Sequence, residues 1–373
     1  MVARHLHNTT TPDSYVQAQI LYHWLTFVNQ FTVVETNGPS WTALTYSGSA
    51  GVINNTTPQA FYEANPVFTG ALVGKHIAIR DAANPTNCFI GQITSLVSPT
   101  RINLDSSASL TFNSTNVEYI VFDTASPPIA TNFFVLQTPS TSGPAWQVRC
   151  VANGSPNALS FELGFTGGWD VGTNAWLLPV SASHWLPSSV SRLFCIADST
   201  QGYFYLWSES PPGGVAASRS ALWVGALNPF HSPAELGAPK DLSYSAIFGS
   251  VTSPGPANNL NRDTTVADSF VIGEALNDVG SVVPVYIAQK RLLSSSVDTL
   301  ALAAAATNPR SMQTDDYDAV CFMRSGFQGW RGRVPGVRIL NDVISNRTPL
   351  NGNFSYVLGN GIGAIWNGKA PQP

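Results

Sequence analysis

Two short clusters in the sequence have residue types that bind metal ions. Asp315, Asp316 and Asp318 form the densest group of carboxylates, and His5 and His7 are the closest pair of histidines. Calcium takes about six to eight oxygen ligands, and the calcium-loop pattern would add a glycine and a final glutamate that are missing here. Two histidines fall short of the roughly three or four ligands of a zinc site. We therefore predict a solvated loop at the aspartates and no metal site.

Two glycine-containing segments resemble catalytic or nucleotide-binding motifs, but neither has the required spacing. Residues 70–75, Gly-Ala-Leu-Val-Gly-Lys, have one residue too few between the glycines for a phosphate-binding loop, and a histidine follows the lysine. Residues 48–51, Gly-Ser-Ala-Gly, are one residue short of the G-x-S-x-G nucleophile turn. Paired glycosidase carboxylates need not be close in sequence, and 22 acidic residues give no basis for selecting two. We predict a protein that is not an enzyme, with no catalytic residue and no cofactor.

Arginine and tryptophan are the remaining candidates for a binding role. Arg331 and Arg333 are two positions apart, so they would share one face of a strand. They could contact carboxylates of a neighbouring subunit, or lie on a solvated edge strand, and both alternatives stay open. The ten tryptophans also allow two interpretations. Exposed rings stack on sugars in glycan-binding proteins, whereas buried rings pack cores and protein interfaces.

The composition restricts the class of partner. Charged residues make up 11% of the chain, against about 25% in an ordinary soluble domain. Low charge suits a surface covered by neighbouring subunits, and also a secreted binding domain or a fibre. The net charge of −4 and the lack of a Lys/Arg block argue against a nucleic-acid partner. The sequence has no apolar run long enough to span a membrane and no signal-peptide layout, so we expect a protein made in a cytoplasm, not secreted, without a membrane partner.

One helix is predicted near the start, over residues 12–29. Thr11 can cap it, Pro12 suits its first position, and Asp13 lies in the first turn, where the helix dipole favours an anion. Its apolar residues either pack on the chain's own β domain or dock on a partner subunit. These candidate interface residues are Leu21, Trp24, Leu25 and Val28.

After this helix, short alternating segments separated by glycine, proline and asparagine turns predict a mainly β chain. We divide it into an N-terminal arm and helix (1–29), a small β-barrel or sandwich domain (30–124), a proline-containing linker (125–130) and a larger antiparallel, jelly-roll-like β-sandwich (131–373). The clearest hairpin pairs residues 192–197 with 202–207, and one further helix is expected at 296–306. Four widely spaced cysteines should be buried reduced thiols, at Cys88, Cys150, Cys195 and Cys321.

Three segments resemble tailed-bacteriophage virion proteins: residues 68–81, residues 194–207 with 221–231, and residues 329–336. The resemblance implies a structural subunit of the tail, baseplate or neck, which assembles with copies of itself and with other virion proteins. The chain would then be found in the virion after synthesis in the host cytoplasm. A capsid decoration or head-fibre protein is an alternative. A receptor- or glycan-binding module of the tail tip, with a host-surface glycan as partner, is another.

Overall fold

The computed structural model shows a mainly β protein with one short helix. It describes residues 2–8, 14–37, 41, 43–56, 58–84, 87–105, 112–124, 131–138, 146–154, 157–187, 192–209, 220–229, 245–249, 270–276, 281–288, 317–322, 330–339, 348–350, 353–357 and 364–366. Within these residues, no helix is both long and apolar enough to cross a membrane. The predicted linker at 125–130 and the second predicted helix at 296–306 lie outside the described residues.

The described strands in the first half of the chain are β1 (Val2–Asn8), β2 (Thr32–Thr36), β3 (Leu44–Asn54), β4 (Ala60–Tyr62), β5 (His76–Arg80), β6 (Cys88–Ser98), β7 (Arg101–Leu104), β8 (Ser114–Phe122), β9 (Thr131–Gln137), β10 (Trp146–Gly154), β11 (Asn157–Phe165), β12 (Trp169–Asp170), β13 (Ala175–Trp176) and β14 (His184–Pro187). Those that follow are β15 (Arg192–Asp198), β16 (Tyr203–Glu209), β17 (Ser220–Ala226), β18 (Asn228–Pro229), β19 (Ser245–Phe248), β20 (Phe270–Leu276), β21 (Val282–Ala288), β22 (Tyr317–Phe322), β23 (Trp330–Ile339), β24 (Thr348–Leu350), β25 (Asn353–Val357) and β26 (Ala364–Trp366).

The predicted N-terminal helix is present as α1 (Ser14–His23), which continues as a π-helix over Trp24–Val28. The predicted capping residues at 11–13 lie outside the described residues. The helix ends where Asn29 donates both its backbone N–H and its side-chain amide to the Trp24 carbonyl. Nearly every residue of α1 is buried, because barrel and sandwich strands pack on different sides of it. The helix therefore lies inside the protein rather than on its surface.

Strands β3 to β8 form a closed antiparallel barrel in the order β3-β4-β7-β6-β5-β8. Alternate residues point inward, as the period of a strand requires, so Ile77, Ile79 and Tyr119 fill the barrel interior. The tight packing depends on glycine in β3. A Cβ on Gly48 would lie 2.6 Å from the Tyr119 ring, and one on Gly51 would lie 2.2 Å from the Phe61 ring.

A second group of strands forms a two-sheet sandwich. The five-stranded sheet has the order β14-β11-β10-β9-β2, and it packs on β15, β16 and β17 of a long antiparallel sheet. Trp146 joins the two sheets, since its indole N–H donates to the Gly202 carbonyl at 2.9 Å and its ring packs near Phe204. Strand β2, which falls within the range predicted for the small β domain, pairs with β9 in this sandwich.

The long sheet bends back on itself. Its order runs β1-β15-β16-β17-β19-β20-β21-β22-β23-β26-β25-β24, and β18, which directly follows β17, pairs with β23. Trp223 on β17 also donates its indole N–H to the Pro335 carbonyl on β23 at 3.1 Å. Strands β17 to β23 therefore curl toward a ring beside the sandwich.

The predicted fold class is confirmed: the chain is mainly β, with an N-terminal helix, a barrel and antiparallel sheets. The predicted hairpin is also present, as β15 and β16 pair from Arg192 to Glu209. Within the predicted N-terminal arm, residues 2–8 form β1, which pairs with β15 at the edge of the long sheet.

Candidate interaction surface

The outer face of the five-stranded sheet holds charged residues in a row. The register places Glu35, Val135, Arg149 and Glu162 next to one another on β2, β9, β10 and β11. Arg149 and Glu162 form an ion pair with 3.4 Å between Nη1 and Oε2. The row therefore puts one arginine between two carboxylates, on the sheet face opposite the sandwich core.

A short hairpin of β12 and β13 covers this row. Trp169 and Trp176 pair across it, and their rings meet edge to face with centroids 5.2 Å apart. The indole N–H of Trp169 donates to Glu35, and that of Trp176 donates to Glu162 at 3.0 Å. We call residues 169–178 the tryptophan hairpin; its two rings are anchored on carboxylates from two different strands.

The packing beneath the hairpin fixes its position further. Arg149 lies 4.8 Å from the centroid of the Phe133 ring and 5.4 Å from that of Trp169, within the range of cation–π attraction. The Trp176 ring lies directly over Gly164, where a Cβ would come within 2.1 Å of it. Glycine at that position is what lets the ring reach the sheet backbone.

Three apolar side chains of the hairpin are exposed. Leu177 is 67% exposed, Val171 is 55% exposed and Leu178 is 45% exposed, and they include the two most exposed large apolar side chains among the described residues. Exposed apolar residues on one anchored element are typical of binding surfaces. We call Val171, Leu177 and Leu178 the hairpin surface.

The turn between the two strands is held by Asp170. Its carboxylate accepts hydrogen bonds from the Thr173 hydroxyl at 2.6 Å and from the Gly172 N–H at 2.9 Å. The bond from Thr173 is the main reason that the pKa of Asp170 lies below its ordinary value. Asn174 completes the turn with a left-handed φ of 54°, a conformation that asparagine adopts more readily than most residues.

The four candidate interface residues of the helix lie in the core of this chain. Leu21, Trp24 and Leu25 are fully buried and Val28 nearly so. They pack on barrel and sandwich residues, which is the first of the two alternatives drawn from the sequence. They form no exposed surface, so we do not retain them as an interface.

The two candidate arginines lie on β23. Arg333 is exposed and stands in register with Asn228 and Val320, while only the backbone of Arg331 is described. Neither is near the tryptophan hairpin in sheet order, since β23 belongs to the curled part of the long sheet. Their role as an interface stays a prediction.

The structure shows which of several tryptophans are buried and which are partly exposed, a question that the sequence left open. Trp24, Trp41, Trp146 and Trp223 are fully buried, and Trp169 is nearly so. Trp176 and Trp185 are partly exposed. Because the indole N–H of Trp176 already donates to Glu162, its polar edge is used within the chain rather than left for a sugar.

The remaining candidates for chemistry do not form a cluster in the described part of the chain. No group of three or more His, Cys, Asp or Glu side chains there could hold a metal ion. Cys88, Cys150 and Cys195 are buried free thiols, and burial raises the pKa of Cys150 and of Cys195. Asp315 and Asp316 lie outside the described residues, and Asp318 belongs to β22.

Comparisons with known proteins give no relative. No family model matches the chain, and neither a curated protein nor a solved structure is significantly similar to it.

Proposed function

We propose that this protein is a non-enzymatic structural subunit of a tailed-phage particle, and that it joins a neighbouring subunit through the hairpin surface. The observation that carries the proposal is the exposure of Val171, Leu177 and Leu178 on a hairpin whose base is fixed. Solvent-exposed aliphatic side chains cost free energy unless a partner covers them. A fixed hairpin also loses little conformational entropy when it binds.

The anchoring of the hairpin supports a role in assembly. Trp169 and Trp176 hold it to Glu35 and Glu162, which lie on strands at opposite sides of the sheet. A contact made by such an element transmits load to the whole sandwich rather than to a loose loop. The low fraction of charged residues, 11%, also reduces the desolvation cost of forming large interfaces.

The assignment to a phage tail, baseplate or neck rests on the sequence resemblance alone. The alternatives, a head decoration protein and a glycan-binding tip, make different predictions about location and ligand. A map of the particle that locates the chain and gives its copy number distinguishes tail from head.

The experiment is a pair of matched double substitutions in the full chain. Leu177→Asp with Leu178→Asp adds two charges to the hairpin surface. The control, Val73→Asp with Val97→Asp, adds the same two charges to exposed apolar positions in or beside the barrel, which are 44% and 50% exposed. Self-association is measured by light scattering over a concentration series, and binding to the other particle proteins by co-sedimentation.

We expect the hairpin variant to weaken association at least about tenfold, because the substituted residues lie at the contact, and the control to behave as the wild type. Two outcomes would overturn the proposal. One is a wild-type protein that stays monomeric and binds no particle protein. The other is a hairpin variant that associates as well as the control.

A further inference from the structure

The end of the helix contacts the outer face of the barrel, where paired strand residues form three rows. Strand register places Glu118, Arg80 and Cys88 in one row, Ile120, Ala78 and Ile90 in the next, and Phe122, His76 and Gln92 in the third. The helix contributes His23 and Phe27 to this contact. We call this contact the helix–barrel seam.

His23 lies in the seam at the point where α1 changes into the π-helix. Its ring lies 4.0 Å from the Phe122 ring, and on the barrel His76 stacks near the same phenylalanine, with centroids 5.8 Å apart. His23 is buried, and its Nε2 atom has no hydrogen-bond partner among the described residues. Short π-helical segments are rare and are frequently found at functional sites, and this one begins directly after His23.

The charged groups of the seam are already paired with one another. Arg80 binds Glu118 and also donates to the Phe27 carbonyl at 3.2 Å, which fastens the end of the π-helix to the barrel. Lys75, next to His76, pairs with Asp123 at 2.9 Å. The carboxylates of these two pairs therefore each have a cation, and neither is an ion-pair partner of His23.

The other titratable groups facing His23 give its charged form no support. Tyr22 on the helix packs edge to face on it and has its pKa raised by burial. His76 on β5 carries the same charge sign when protonated, and Cys88 on β6, a buried free thiol, lies two rows away from the row of Phe122. The sequence of β1, the strand that contacts both α1 and β6, contains no acidic residue.

We propose that the helix–barrel seam is an acid-sensitive contact, in which protonation of His23 releases the end of the helix from the barrel. A charged imidazole against Phe122 would be buried without a partner, and exposure to water relieves that cost. Release separates Phe27 from Arg80 and uncovers the apolar row of Ile120, Ala78 and Ile90. The proposal is independent of the hairpin surface, since it concerns other residues.

The direction of the pH effect follows from burial. Desolvation, and to a smaller extent the nearby His76, lower the pKa of His23 to about 3 while the seam is closed. In the open state the imidazole returns to an ordinary pKa of about 6.5. The open state therefore takes up the proton first, so closing is favoured above pH ~6.5 and loses stability as the pH falls. Between pH ~7 and ~5, the opening equilibrium should rise about 25-fold.

Cys88 supplies a built-in reporter of opening. It is fully buried and pairs in register with Arg80, the residue that holds the Phe27 carbonyl, so we expect its exposure to a thiol reagent to increase when the seam opens. The rate of labelling by 4,4′-dithiodipyridine is measured on the full chain at neutral and mildly acidic pH, and the modified cysteine is identified by peptide mapping. Each rate is divided by the rate for denatured chain at the same pH, which removes the intrinsic pH dependence of the reagent. We expect the normalised Cys88 rate to rise about 25-fold between pH ~7 and ~5.

Two substitutions test whether His23 is responsible. His23→Gln cannot titrate and should abolish the rise, while His184→Gln, at a histidine equally buried in the sandwich, should leave it unchanged. If His23→Gln does not fold, His23→Phe keeps an aromatic ring against Phe122 and serves the same purpose. A wild-type rate that is flat with pH overturns the proposal without any variant. A rise that persists in the folded His23 variant overturns it as well.

Discussion

Short elements cover two sheet faces of this protein, and the charged groups beneath them are paired differently. We call the tryptophan hairpin the hairpin cover and the end of the helix the helix cover. The tryptophan hairpin covers the five-stranded sheet with Arg149 between two carboxylates, and each carboxylate also accepts an indole N–H. The helix covers the barrel with Arg80 fastened to Glu118 and Phe27, but it places His23 against Phe122 without a partner for Nε2. The charged groups under the tryptophan hairpin are therefore paired with one another, whereas the contact under the helix buries an imidazole whose Nε2 has no hydrogen-bond partner among the described residues.

The largest effect on stability is expected when the aromatic ring beneath the helix cover is removed. Phe122→Ala deletes a fully buried side chain that contacts His23 and His76. We expect a loss of about 3–5 kcal/mol in the free energy of unfolding, from the lost transfer energy and the cavity that remains. Urea denaturation followed by tryptophan fluorescence measures it. A loss below about 1 kcal/mol would show that the seam contributes little to the fold.

The next largest effect is the pH dependence of global stability. The pKa of His23 in the folded protein is about 3, below that of the unfolded chain. Stability from this residue is fully present above pH ~6.5 and is lost as the pH falls, by about 2 kcal/mol between pH ~7 and ~5. Acidic groups with lowered pKa, such as Asp81 and Glu274, act mainly below pH ~4.5.

Denaturation curves at several pH values check this expectation in wild type and in His23→Gln. The variant should lose most of the dependence between pH ~7 and ~5, and His184→Gln should retain it. Parallel curves for wild type and His23→Gln would contradict the role given to His23.

A smaller loss of stability is expected when the hydrogen bond that anchors the tryptophan hairpin is removed. Trp169→Phe keeps an aromatic ring on Phe133 but removes the indole N–H that donates to Glu35. We expect a loss of about 1–2 kcal/mol, as for a hydrogen bond to a charged group. Hydrogen exchange should rise within residues 169–178 while that of the helix stays unchanged. Equal loosening of both regions would mean that the two covers are not independent.

The smallest effect on stability belongs to the hairpin surface. Leu177→Ser alters a side chain that is 67% exposed, so unfolding should change by less than about 0.5 kcal/mol. Association with a neighbouring subunit should nevertheless weaken. A large loss of stability would place Leu177 in the fold rather than at a contact.

Much of this architecture follows from local patterns. Alternation places Trp146, Val148 and Cys150 on one face of β10, so Arg149 must point to the other, as it does. The helix follows from its spacing, and β15 with β16 from two alternating runs around a short turn. The hairpin surface could not be derived in this way, because β12 and β13 have two residues each and show no alternation.

Long-range pairing accounts for the structural features that local sequence patterns did not predict. The bond from Trp169 to Glu35 joins residues 134 positions apart, and β2 finds its partner β9 across the whole barrel. Neither composition nor spacing encodes such a partner. Burial on every side of the helix likewise depends on where the barrel and the sandwich meet, and therefore a pattern that suggests a surface stripe ends in the core.

The pairing of β1 with β15 has a consequence for biosynthesis. The two strands are about 190 residues apart, so β1 leaves the ribosome long before its partner exists. At about 5–20 residues per second, that interval lasts roughly 10–40 s. During it the barrel strands, which pair with one another over shorter distances, have time to close. The nascent N-terminal strand must remain unpaired while this happens, and a chaperone or a neighbouring nascent chain has its best opportunity to bind it then.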